Sequence, residues 1–329
     1  MRHSSSARAL DPFTWMKRKV KALAKKVLPR RLIEGMRSSR RPRKGECCLF
    51  PGQGVFAKGR MDSPQAVGSR RFLFVCGLHR SGTSLLSHTL STHPLISGFH
   101  NTGVSEDEGQ HLQSLFPPAK FYGGPGKFGF APEAHLTETS DLVTADNAAK
   151  LFLEWSRYWD LSKPLLLEKS PPNLIRTRFL QAMFPHSYFI VIIRHPIAVA
   201  LATRKWSRSR LDSLISHWVT CHHIFDLDRV HVKNLYVINY ELLVSCPTET
   251  FTSVCKFLNI SHELQVPRVD SRVNERYFEI WSDMRRDPAA ANMVSLIERR
   301  YGKAIRSYGY RLDNLDQLVF PEAAKSDLR

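Results

Sequence analysis

One short run, Gly77-Leu78-His79-Arg80-Ser81-Gly82-Thr83-Ser84, joins two glycines, a cation and a set of hydroxyls. The glycines keep the G-x-x-x-x-G frame of a loop that turns backbone N–H groups inward around an anion. A helix starting at Thr83 would aim the positive end of its dipole at the same point. The lysine that usually follows the second glycine of such a loop is absent. Thr83 stands there, and Arg80 supplies a cation one turn earlier.

Two more cations stand at the ends of apolar runs. Lys169 closes LLLEK, and Arg194 follows SYFIVII. An arginine placed so can grip a phosphate with two parallel N–H groups. A nucleoside triphosphatase would need the loop lysine, and Mg²⁺ held by a strand-end Asp. Here the strand ends in Arg194, so the pattern suits a smaller anion held by fixed cations. A kinase-like enzyme stays as the alternative.

The elements that must position these groups follow from periodicity. RFLFVCG (71–77), PLLLEK (164–169), SYFIVIIRHP (187–196) and NLYVINY (234–240) read as buried strands. Helices are expected over 83–94, 141–160, 171–185, 197–207, 210–225, 247–260 and within 288–306. Strand alternating with helix predicts an α/β, three-layer, P-loop-type fold with a central parallel sheet flanked by helices. Ligands in such sheets bind beyond the carboxyl ends of the strands, where all the cations above fall. Residues 95–140 look irregular. Gly124-Pro125-Gly126-Lys127-Phe128-Gly129 matches G-x-G-x-x-G, but no strand precedes it, so it is expected to be a flexible loop near the acceptor. Trp155 and Trp159 have core spacing.

RFLFVCGLHRSGTSLL resembles the 5′-phosphosulfate loop of the sulfotransferases that use PAPS (3′-phosphoadenosine 5′-phosphosulfate). IVIIRHPIAVALATRKW resembles their 3′-phosphate element. LLLEKSPPNLIRTRFLQAMFPHSYFIVIIRHP is similar to the connecting segment of the bacterial and tyrosylprotein branches. LYVINYELLVSCPTETFTSVCKFLNI and RVNERYFEIW also resemble family segments. The resemblance implies sulfuryl transfer from PAPS to a hydroxyl or amine by in-line displacement, with no metal. It implies that Gly77, His79, Arg80, Ser81, Gly82, Thr83 and Ser84 cradle the phosphosulfate. Arg194 would hold the 3′-phosphate, Tyr240 would lie at the adenine, and Lys169 would approach the sulfuryl group with Arg80. Related branches carry a Glu or His base in the segment after the loop's helix, where this chain offers His100, Glu106, Asp107, Glu108 and His111, in and just before SEDEGQH. Glu106 is the first choice of base and Glu108 the second, with a merely solvated acidic turn as the competing reading. The family usually places Ser eight residues after the strand-end Arg, where this chain has Ala202. Thr203, or Ser207 one turn on, is the expected substitute; a catalytically weakened nucleotide-binding protein is the alternative.

Charge is uneven along the 329 residues. Residues 1–44 carry 15 Lys/Arg and 2 Asp/Glu, a net of +13 within a total of +18. The body is therefore only mildly basic, which suits a nucleotide and gives no reason to expect a nucleic-acid partner. The stretch around Trp15, Val20, Leu23 and Leu28 suits an import peptide, a helix on an anionic membrane surface, or a solvated tail. The expected organisation is a tail and linker over 1–68, a catalytic domain over 69–315 and a short tail over 316–329. The expected location is soluble, cytoplasmic or organelle-targeted, with no membrane anchor. Six cysteines without C-x-x-C spacing suggest neither a disulfide scaffold nor a metal site. The acceptor is not legible.

Overall fold

The computed structural model of the chain describes residues 70–315 and residue 318. Apart from residue 318, the expected tails over 1–68 and 316–329 lie outside the described residues, as do Cys47 and Cys48. Five strands form one parallel sheet: β1 (Arg71–Gly77), β2 (Ile96–Ser97), β3 (Leu165–Lys169), β4 (Ser187–Ile193) and β5 (Leu235–Asn239). Their order is β2-β3-β1-β4-β5. β1 pairs with β3 on one side, Val75 opposite Lys169, and with β4 on the other, Gly77 opposite Ile192. Chain order thus reverses at β1, which opens a crevice beyond its carboxyl end.

Both faces of the sheet are apolar because helices cover both. On one face Leu73, Val75, Leu167, Ile190 and Ile192 pack under α1 (Thr83–Leu90), whose Leu86 and Leu90 are buried with them. On the other face Phe72 and Phe74 meet Phe184, with the Phe72 and Phe184 ring centres 4.3 Å apart. Trp155 of α2 (Ala145–Ser156) joins that cluster, so both expected core tryptophans are buried.

The segment expected as one helix over 171–185 is divided. A 3₁₀ turn covers Pro171–Ile175, and α3 (Thr177–Met183) follows. The break falls at Arg176, whose buried guanidinium donates to the carbonyls of Ala134 and Pro117. Pro171 and Pro172 have no N–H to extend a helix, which favours the short turn. After β4 come α4 (Pro196–Ser207) and α5 (Leu211–Arg229). After β5 come α6 (Tyr240–Ser245), α7 (Pro247–Leu258), α8 (Glu275–Arg286) and α9 (Pro288–Arg306). Among the described residues no helix is long and apolar enough to cross a membrane. The four described cysteines are free.

The glycine-rich run is a packed turn, not the flexible loop expected. A Cβ on Gly126 would lie 2.3 Å from Leu214 of α5. Gly129 donates its N–H to His217 at 3.1 Å, and Phe128 is buried with its ring edge-on to His217. The side chains that hold it lie nearly ninety positions away, beyond the reach of local pattern.

Candidate active site

The loop between β1 and α1 is held open by backbone conformations that few residues adopt. Arg80 has φ 70° and Gly82 φ 100°. A Cβ on Gly82 would come within 2.6 Å of the Tyr240 ring, so the loop must lie directly on that ring. Gly82 also caps α1, and no side chain bonds to the free N–H groups of its first turn. Ser81 Oγ and His79 Nδ1 are buried there without a hydrogen-bond partner. Buried polar atoms almost always find partners. Orphaned donors beside an uncapped helix N-terminus fit an anion such as a phosphosulfate. Burial, followed by the charges of Lys169, His111 and Arg80, pushes the His79 imidazole down to about 3. It is therefore neutral and able to donate one N–H.

Lys169, at the end of β3, reaches across this loop. Its Nζ donates to Ser84 Oγ at 3.3 Å and to the carbonyl of Glu106 at 2.6 Å. It lies 3.5 Å from Glu108 Oε1. Ser84 Oγ in turn donates to Glu106 Oε2 at 2.8 Å. The two candidate bases therefore differ in setting. Glu106 is exposed, and its backbone is held at φ 55°. The turn is fixed by Asp107, which accepts from the N–H and hydroxyl of Thr102. Glu108 is buried between Lys169, Gln110 and His111. Burial raises its pKa in spite of Lys169.

Arg194 leaves the end of β4 and is nearly buried. Its Nε and Nη2 donate to Asn274 Oδ1, and Nη1 donates to the carbonyl of Arg80 at 2.9 Å. The strand-end cation thus braces the loop after β1. Asn274 donates to Glu241 at 2.8 Å, and Glu241 also accepts from the Tyr310 hydroxyl and the His195 N–H. Burial lowers the Arg194 pKa. Two of its five N–H groups are not used in these bonds.

Residues 73–263 match the model of the sulfotransferase family. The chain belongs to the sulfotransferase family. Among curated proteins, an "Uncharacterized protein" of Aquifex aeolicus (strain VF5) is 23% identical over 218 residues, which are 60% of this chain and 26% of that protein. The chain thus matches about a quarter of the length of that relative. Among solved structures, sulfotransferase STF9 from Mycobacterium avium has a TM-score of 0.48 and 11% identity, over 78% of this chain and 80% of that one. The sulfotransferase domain from the curacin biosynthetic pathway has a TM-score of 0.40 and 17% identity, over 65% and 90%.

In this member of the sulfotransferase family the expected residues divide into groups. Arg80, Ser81, Gly82, Thr83 and Ser84 form one loop, which Lys169 and Glu106 meet at Ser84, with Glu108 beside Lys169, while His79 of the same loop is buried against Phe128. Arg194 and Tyr240 lie beneath the loop, joined to it through the Arg80 carbonyl and Gly82. Thr203 lies against the start of the same loop, lining a small cavity with Leu78, His79, Gly126 and His217. Ser207 accepts the Ser209 N–H at the end of α4. Neither hydroxyl meets the Arg194 guanidinium, whose partners here are Asn274, the Arg80 carbonyl and the Tyr240 ring. Asn274, Glu241 and Tyr310 were given no role from sequence. Asn274 lies in the family-like RVNERYFEIW segment, but its partnership with Arg194 spans 80 positions. Among the described residues no cluster of His, Cys, Asp or Glu is arranged to hold a metal ion.

Proposed function

We propose that the chain transfers a sulfuryl group from PAPS to a hydroxyl or amine acceptor. The observation that carries this reading is the convergence of Lys169 Nζ, Ser84 Oγ and Glu106 at an uncapped helix N-terminus. In this reading the free N–H groups of α1, Ser81, Thr83 and Ser84 hold the 5′-phosphosulfate. The two spare N–H groups of Arg194 take the 3′-phosphate, and Tyr240 forms the floor of the nucleotide site. The donor supplies the activated sulfuryl group; the chain supplies charge and a base. Arg80 and Lys169 stabilise the charge that grows on the leaving phosphate. Glu106, the exposed carboxylate beside Ser84, accepts the acceptor's proton.

The test has two arms. PAP, the desulfated nucleotide, should bind in calorimetry, and ³⁵S from labelled PAPS should leave the nucleotide in a protein-dependent way. Magnesium-dependent ATP turnover without PAP binding would instead support the kinase-like alternative. PAP binding without any loss of label, to water or to a broad acceptor mixture, would support a weakened nucleotide-binding protein.

A further inference from the structure

Glu168 and Lys169 are consecutive on β3, so their side chains leave opposite faces of the sheet. Lys169 turns to the phosphate loop. Glu168 turns to the Phe74 face, its register partner, and is only 1% exposed. No cation forms an ion pair with it among the described residues. Burial pushes its carboxyl up to about 7. A carboxyl group buried in this way is costly unless its hydrogen bonds are complete.

Its bonds lead back to the site. Ser170 Oγ donates to Glu168 Oε1 at 2.5 Å, and Asn173 Nδ2 donates to Oε2. Having given its proton to Glu168, the Ser170 hydroxyl has only lone pairs left. It accepts the Gln110 N–H at 2.9 Å. The Gln110 carboxamide donates to Glu108 and accepts the Ala119 N–H at 2.7 Å. Glu108 faces Lys169. Between them Gly109 is pressed onto the carboxyl: a Cβ there would lie 2.4 Å from Glu168 Oε1. The Trp155 indole N–H fixes the Gly109 carbonyl at 3.0 Å. A chain of bonds therefore leaves the rear face of β3, rounds the Gly109 turn and returns to the front face at Lys169.

We infer that Glu168 is a positioning residue that orients the Glu108 carboxylate against Lys169 through Ser170 and Gln110. The inference rests on the reading of Lys169 as the cation beside the sulfuryl group. Without an acceptor at Glu168, the Ser170 proton would be free to turn towards the Gln110 N–H, setting two donors against each other. The Glu108 turn would then loosen, and Lys169 would lose its fixed counter-charge.

The test uses the full chain carrying Glu168→Gln. The carboxamide keeps the shape but sets its NH₂ against the Ser170 or the Asn173 donor. Hydrogen exchange over 105–113 should quicken about tenfold, with β1 and β4 protected as before. PAP affinity should stay within about threefold. Single-turnover breakdown of PAPS, with water as the acceptor, should slow about tenfold in the parent chain and by less than about twofold in Glu108→Gln, the mark of two residues acting as one unit. Ser170→Ala, which cuts the same chain at another link, should loosen the same segment. Unchanged exchange over 105–113 in both variants would overturn the inference. So would equal rate losses in the two backgrounds, or a uniform loss of protection in both variants. If the parent chain fails to bind PAP, the donor assignment falls, while the exchange result still decides whether Glu168 orders the turn.

Discussion

The guanidinium carbon of Arg194 lies 4.1 Å from the centre of the Tyr240 ring, and the other side of the site rests on that ring at Gly82. One aromatic ring thus joins the phosphate loop after β1 to the cation after β4. A cation stacked in this way gains about 0.5–2 kcal/mol and is held in one orientation. Gly82→Ala should break the arrangement, because its methyl would meet the ring at 2.6 Å and its φ of 100° strains any Cβ. The expected result is a cooperative fold with PAP affinity reduced about tenfold or more, a loss of about 1.4 kcal/mol or more. Tyr240→Phe keeps the ring and should bind PAP normally. Calorimetry on the two variants tests the role of the ring, and normal binding by Gly82→Ala would remove it.

Arg194→Ala should weaken PAP by about 10–150-fold, the 1.5–3 kcal/mol of a charge-assisted bond. An analogue lacking the 3′-phosphate should lose far less. The comparison matters because Arg194 also braces the Arg80 carbonyl. Equal losses for both ligands would mean that the arginine acts only as a brace.

Elements that depend on local pattern were legible in the sequence. β1 and β4 are continuous apolar runs; β1 spans the 71–77 expected, while β4 starts at Ser187 as expected and stops at Ile193, three residues short of 196. The turn between β1 and α1 was legible for the same reason: its glycines need particular backbone angles whatever lies around them. Roles created by tertiary contact were not legible. Asn274 grips Arg194 across 80 positions, and His217 fixes Gly129 across 88. Arg176 divides a segment whose periodicity reads as one helix, because its partners are carbonyls some 40 and 59 positions upstream. Thr203, the expected substitute for the missing serine at Ala202, lines the cavity beside His79, a placement set by Gly126 and His217 far along the chain.

Lys169→Gln should separate binding from chemistry. The lysine contacts Ser84 and the Glu106 carbonyl at the mouth of the site, while the nucleotide's 3′ end is assigned to Arg194. PAP affinity should change little, and transfer from PAPS should fall about 10²–10³-fold, the usual cost of removing one preorganised donor at developing charge. Excess EDTA should leave the parent rate unchanged if fixed cations do this work. A comparable loss of PAP binding would place Lys169 in ground-state recognition instead.

Stability should fall steeply in mild acid. Burial holds four histidines neutral: His79 and His217 at about 3, His195 and His222 at about 4. Lys169, His111 and Arg80 add to the effect at His79, Arg194 at His195, and neighbouring histidines at His217. A histidine depressed in the folded state takes up its proton only on unfolding. Its contribution is complete above about 6.5 and is lost as pH falls towards 4, at about 1.4 kcal/mol per unit for each group. Glu168 works the other way, since a carboxyl raised to about 7 favours the folded state most below its unfolded value. Burial raises the Glu108 carboxyl as well, so two carboxyls oppose four histidines, which still leaves a net loss on acidification between about 6.5 and 4. His222 is the group to remove. Its Nδ1 bonds to the Trp218 carbonyl at 2.7 Å, while its Nε2 is buried without a partner. His222→Phe keeps the ring against Trp218, gives up one hydrogen bond, and deletes one proton-binding site of the unfolded chain. Chemical denaturation at several pH values should show the slope of unfolding free energy against pH reduced by about one proton in this variant. An unchanged slope would mean that His222 binds its proton in the folded chain as well.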